Sequence, residues 1–155
     1  MSEQDDNKAL IRRVIEEALN NGNLAIADTA FTPDYVAHVP GAPPLPPGPE
    51  AFRRVARLWR GACSDWHMTI DQLVAEGDIV ANRFTTRATH DGMLLGIPPT
   101  RRSFTVHGME FHRLKGGKVA ESWISDDIPG IFVQLGLVKM PTPGPGSGPP
   151  PGTPR

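Results

Sequence analysis

Cysteine is almost absent. Cys63 is the one thiol in 155 residues, so no disulfide can close within the chain, and the sequence reads as a protein of a reducing cytoplasm. It falls in an expected helix with no histidine beside it, and reads as a buried structural thiol. Charge of one sign is not in surplus: 16 basic side chains stand against 17 acidic ones, for a net −1. Attraction to nucleic acid or to an anionic membrane is not implied. No apolar run reaches transmembrane length, and the opening MSEQDDNK is too polar for a secretory leader. Metal-ligand spacings such as HxxxH and CxxC are missing, and so are GxGxxG, a P-loop and a serine nucleophile elbow. Neither metal nor cofactor is expected, and nucleic-acid and membrane partners are not expected either.

The residues that are present divide the chain clearly. Leu10, Ile11, Val14, Ile15, Ala18 and Leu19 recur at helical spacing, predicting a helix over 7–19. Asn21-Gly22 stops it. A short helix follows over about Leu24 to Ala30, then an extended piece with Tyr35, Val36, His38 and Val39. GAPPLPPGP, residues 41–49, lacks the amide donors of a central strand and reads as a stiff loop able to cap a pocket. Glu50 to Ala62 forms a third helix with an apolar face and an arginine cluster. The balanced charge favours a solvated face over a nucleic-acid site. Strands then dominate: Met68–Val74, Ile79–Thr89, Ser103–Leu114 and, after Gly116-Gly117, Lys118–Ser125. A last helix covers Ile128 to Leu137. One domain over 1–139 is expected, with a disordered Pro/Gly-rich tail over 140–155. Helices followed by meandering strands indicate an α+β fold.

Residues 89–127 carry most of the chemistry. On Ser103–Leu114 the alternation sets Phe104, Val106, Gly108, Glu110, His112 and Leu114 on one face, against Thr105, His107, Met109, Phe111 and Arg113. Glu121, Trp123 and Ser125 share a face of the last strand, and Asp127 continues their parity. Arg83, Thr85 and Arg87 share a face of the second. Glu110, His112, Ser125 and Asp127 are the polar groups expected to line a cavity. Glu110 sits mid-strand among apolar neighbours, where an unpaired carboxylate is costly. It either pairs with Arg83 or His112 or has its pKa raised for proton transfer. Asp127 precedes a helical run and can cap it, which does not exclude catalysis, and Asp126 reads as the solvated one of the pair.

FTPDYVAHVPG, AEGDIVANRFTTRATHDG, LGIPPTRR and GGKVAESWISDD followed by VQLG occur in this order and spacing. With them the chain resembles the SnoaL-like polyketide cyclases (ester cyclases) of the nuclear transport factor 2-like superfamily. The resemblance covers about residues 7–138. It implies a cone: a curved antiparallel sheet wrapped around N-terminal helices, with an internal cavity. It implies that His38, Arg83, Thr85, Val106, Gly108, Glu110, Trp123 and Ser125 look into that cone, and that the outer face with Met109 and Phe111 forms a homodimer. The implied activity is closure of a carbon ring in a small apolar polyketide-like substrate. Two routes fit, an acid/base-assisted aldol and a shape-driven [4+2] closure. Asp127, Glu110 and His38 are the expected catalytic groups. Arg83, Thr85, Val106, His112, Trp123 and Ser125 are the expected substrate contacts. The alternative is a non-catalytic module that binds a small ligand or dimerises. Limonene-type epoxide hydrolases of the superfamily flank a cavity Arg with two Asp; here those positions read Arg83, Thr85 and Ser125, which argues against that hydrolysis. Arg101 stands where relatives carry Gly after Pro-Pro-Thr.

Overall fold

The computed structural model describes residues 1–142 and 144–146. Most of the expected tail lies outside those residues.

Helix α1, Glu3–Val14, starts at a capping box. Ser2 Oγ accepts from the Asp5 amide at 3.2 Å, and the Asp5 carboxylate accepts from the Ser2 amide at 3.3 Å. The helix continues as a wider π-helical stretch, Ile15–Asn20. Asn20 then docks it on the sheet: its Nδ2 donates to Met68 O at 2.9 Å and its Oδ1 accepts from the Met68 amide at 2.8 Å. A 3₁₀ turn, Leu24–Ile26, leads into α2, Ala27–Ala30. Strand β1 is Phe31–His38. It is an edge strand, which is why Pro33 is tolerated within it. Helix α3, Pro49–Ala62, opens with proline at its first position. The meander follows: β2 His67–Glu76, β3 Ile79–Thr89, β4 Ser103–Lys115 and β5 Lys118–Asp126. Helix α4, Ile128–Gln134, closes the fold.

The sheet order is β1-β5-β4-β3-β2. The fold is the expected α+β one, with a curved, unclosed sheet over the N-terminal helices. One pair departs from the antiparallel expectation, because β1 runs parallel to β5. A parallel neighbour requires a long crossover, and α3 together with the meander supplies it. Ile11 and Val14 of α1 and Ile15 of the π-helical stretch pack with Phe84, Phe104, Val106 and Val119 of the sheet in the core. Cys63 is fully buried there.

The arginines of α3 are engaged locally. Arg60 donates to Leu19 O at 2.7 Å and Asn20 O at 3.0 Å, capping the π-helical end. Arg53 pairs with Asp28, and Arg57 reaches Glu50 at 2.8 Å. No helix among the described residues is long and apolar enough to cross a membrane. The 91–102 loop is anchored at His90, which is buried and accepts from the Thr100 amide at 3.1 Å. Arg101 in this loop has φ +63°, a left-handed backbone that favours glycine. That is the physical meaning of the Arg-for-Gly departure noted in the sequence.

A register shift on β5 matters most for the site. The Gly116-Gly117 turn pairs Lys115 with Lys118, and unbroken pairing from there would set Glu110 opposite Trp123. A bulge intervenes: Leu114 pairs with Val119, but Arg113 pairs with Glu121. Ala120 is the extra residue, and beyond it every β5 side chain changes face. Glu110 therefore pairs with Ile124, His112 with Ser122 and Gly108 with Asp126.

Candidate active site

Two connected hollows lie between the sheet's inner face and the helices. The inner one holds about 70 Å³ and is mostly apolar, with Tyr35, Arg60, Glu110, His112, Ser122 and Asp126 as polar members of its wall. The outer one, a vestibule of about 460 Å³, lies under the Pro-rich loop and is walled by Pro40, Leu45, Leu58, Leu95 and Phe132. Val55, Trp59, Ile124 and Asp126 line both. The vestibule has the size of a small-molecule site and the inner hollow does not.

The inner polar groups satisfy one another. Asn82 Nδ2 donates to Glu110 Oε2 at 3.1 Å. Its Oδ1 then faces His112 Nε2 at 3.0 Å, so that nitrogen carries the proton. Glu110 Oε2 lies 3.3 Å from the same Nε2. On the other side of the ring His112 Nδ1 is hydrogen-bonded to the Ser122 hydroxyl, 2.8 Å away. The Tyr35 phenol adjoins Ser122. Burial pushes the phenol well above its ordinary pKa and the Glu110 charge adds to this, while the Ser122 hydrogen bond offsets only part. Tyr35 remains a proton donor. Asn82, Glu110, His112 and Ser122 are all buried, and every one is engaged. They form a fixed polar wall.

Asp126 differs. Its Oδ1 is buried without a hydrogen-bond partner. Burial, and secondarily the Glu110 carboxylate, push its carboxyl up to about 7. Such a group is half protonated near neutrality, the condition best suited to taking and returning a proton. Gly108, its cross-strand partner, makes room for it. A Cβ at Gly108 would overlap the Phe84 ring and stand 2.7 Å from Asp126 Oδ1 and 2.8 Å from Ser125 O. Gly108→Ala is expected to destabilise the protein by about 1–3 kcal/mol, as overpacking does. Urea denaturation checks this, and unchanged stability would mean that the slot is not tight.

With this geometry stated, comparison with known proteins gives a consistent result. The sequence profile of the SnoaL-like polyketide cyclases matches residues 9–135. The chain belongs to the SnoaL-like polyketide cyclase family. It is 28% identical over 120 residues to the nogalonic acid methyl ester cyclase of Streptomyces nogalater, an alignment covering 77% of this chain and 90% of that one. The solved structure of TsrD from Streptomyces laurentii superposes with a TM-score of 0.79 at 28% identity, over 89% of this chain and 100% of that one. IdmH from Streptomyces antibioticus gives 0.72 at 31% identity, over 84% and 98%.

Against that family background, the side chains singled out in the sequence separate into two groups. Glu110 and His112 line the inner hollow. Val106 points inward and is buried in the core. Gly108 faces inward as well, and Ser125 reaches only the vestibule; the rest do not face the cone as expected. Arg83 and Thr85 are on the outer face: they pair with Met109 and His107, and Arg83 bonds Gln72 at 3.0 Å while Thr85 bonds Asp71 at 2.6 Å. The alternation of β3 puts Val80, Asn82, Phe84, Thr86 and Ala88 inside; turning it over would bury Arg83 and Arg87. Trp123 is outside because of the β5 bulge, stacked on His38 at 5.3 Å. His38 is half-exposed and bonds Glu121 at 2.7 Å. Ser125 is exposed at the vestibule rim. Asp127 is exposed and caps α4, accepting from the Gly130 amide at 3.0 Å. Tyr35, Ser122 and Asn82 were missed, and Asp126, read from the sequence as the solvated one of the aspartate pair, is the one that lines both hollows. No local pattern announces Asp126; only the pairing of β5 with β4 brings it inward. Among the described residues, no group of three or more His, Cys, Asp or Glu is placed to hold a metal ion.

Proposed function

We propose that this family member is a cyclase of polyketide (secondary-metabolite) biosynthesis that closes a carbon ring by an intramolecular aldol reaction with Asp126 as acid/base. Asp126 is the observation that carries this reading: a carboxyl at the neck between vestibule and inner hollow, one oxygen unpartnered, its pKa near neutrality. The ionised carboxylate takes a proton from a substrate carbon flanked by carbonyls. The electron pair delocalises into the enolate, then forms the new carbon–carbon bond at a second carbonyl carbon. The resulting alkoxide recovers the proton from Asp126, so the enzyme ends as it began. The apolar vestibule brings the two carbons together, which is where much of the acceleration in such a unimolecular step arises. Glu110 and His112 act by holding the wall and the charge next to Asp126.

A relative named nogalonic acid methyl ester cyclase, within a family described as polyketide cyclases, supports the substrate class. Lone Cys63 supports a cytoplasmic location. The outer sheet face supports a homodimer, since it exposes Met109 and Phe111, 57% and 52% accessible.

The test is the pH dependence of ring closure on a polyketide methyl ester bearing an acidic methylene. We expect kcat to carry an ionisation near 7, rising as Asp126 deprotonates. A rate independent of pH across about 5 to 9, with the fold intact, rejects proton transfer and leaves closure by shape alone.

A further inference from the structure

Trp66 sits at the entry to β2 and lines the inner hollow. It is 7% exposed, and its ring stacks on Trp59 at 5.3 Å with 29° between planes. Its indole Nε1, a donor with no acceptor capacity, is buried without a hydrogen-bond partner. Native interiors rarely leave a donor in that state, and an exception calls for an explanation. The turn before it is also held firmly. Asp65 accepts from the Thr89 amide at 2.7 Å and from its hydroxyl at 2.8 Å, and the Ser64 amide donates to Asp91 at 2.9 Å. An orphan donor on a pinned turn, carried by a side chain in the wall of the hollow, has the attributes of a preorganised site for a ligand oxygen.

We propose that Trp66 Nε1–H is the hydrogen-bond donor to a substrate carbonyl oxygen that enters the inner hollow, selecting ketone-bearing ligands over hydrocarbons of the same shape. Asn82, His112 and Ser122 are already committed to one another, and Arg60, which also lines the hollow, directs Nη1 to Leu19 O and Asn20 O. Asp126, at the neck, faces the same ligand from another element, β5. Carbonyl oxygen and acidic carbon are then addressed by different side chains. In the cyclase reading, on which the nature of that oxygen rests, Trp66 would hold the negative charge that develops on it.

The experiment reads binding alone. Full-length protein, ¹⁵N-labelled, is titrated with acetophenone and separately with isopropylbenzene, its hydrocarbon counterpart. The three tryptophans give three indole signals, assigned with Trp59→Phe, Trp66→Phe and Trp123→Phe. We expect acetophenone to move the Trp66 indole proton downfield and isopropylbenzene to leave it nearly unmoved. Trp66→Phe should weaken acetophenone binding about tenfold, or about 1.4 kcal/mol, without a matching loss for the hydrocarbon. Equal responses to both probes, equal losses in the variant, or no binding of the ketone overturn the proposal. If Trp66→Phe does not fold, the wild-type titration decides by itself, with the Trp66 signal assigned by elimination. Because no turnover is measured, a positive result stands even if Asp126 proves dispensable, and a negative one leaves the acid/base reading intact.

Discussion

Asp126→Asn is expected to lower kcat for ring closure by about 10²–10⁴-fold, the usual worth of a positioned general acid/base. Asparagine keeps the shape of the side chain at the neck, so substrate should still bind, and KM should change much less than kcat. The neutral amide neither takes a proton from carbon nor returns one to the alkoxide. The adjacent substitution is the control. Asp127 is exposed and its recorded partner is the Gly130 amide. Asp127→Asn is expected to preserve turnover within a few-fold, since asparagine also serves as an N-cap. Steady-state kinetics on both variants separate the two aspartates. A large loss at Asp127 with full activity at Asp126 would invert the assignment and return it to the one that the sequence suggested.

The same Asp126→Asn change should stabilise the protein above neutrality. Burial raises the carboxyl from 3.8 to about 7, so the native state favours its protonated form. The stability this contributes is complete below the unfolded-state pKa and is lost as pH rises through the native one. At about 1.36 kcal/mol per pH unit, the wild type should lose about 2–3 kcal/mol between pH ~5 and ~8 from this group. Partial contact with the vestibule moves the expectation toward the lower figure. Asp126→Asn removes the titration, so its stability should stay flatter over the same interval and exceed the wild type at the alkaline end. Urea denaturation of both proteins at the two pH values reads this directly. Parallel profiles would show that the carboxyl is solvated. A residue that costs stability in its working form, and whose removal stabilises while inactivating, is what an active-site group retained for chemistry should be.

The architecture was legible because the residues that build it are local and periodic. Asn7 to Leu19 reads as a helix from its apolar spacing, and the structure extends it at both ends, to the Ser2 cap and to Asn20. The hairpin turns at Gly77 and Gly116-Gly117 were visible as turn residues between strands with a period of two. The inward face of β4 followed from alternation and holds in the structure, with Glu110 and His112 both buried. Glu110 was expected to pair with Arg83 or His112. His112, helped by Asn82, is the partner. Arg83 lies across the sheet and cannot reach.

The site was legible only in part, and one residue explains most of the shortfall. Ala120 bulges out of β5, and a strand's faces depend on counting from its turn. Parity put Trp123, Ser125 and Asp127 on one face, and the resemblance turned that face inward; the bulge instead places Ser122, Ile124 and Asp126 there. Arg83 and Thr85 were placed by resemblance against the alternation of their own strand. The packing of Val80, Phe84 and Ala88 on the core kept the alternation and turned both residues outward.

What the order of residues determined alone is the set of elements, the α+β class, the turns and the family, because each rests on short-range periodicity, turn chemistry or a run of matched segments. Only the folded chain decided which carboxylate is the reactive one. Asp126 and Asp127 are neighbours with the same side chain. A single bulge sends one into a half-buried neck, where its charge is costly, and leaves the other in water at a helix end. Solvation is a property of position in space, and position across a sheet is set by pairing between strands.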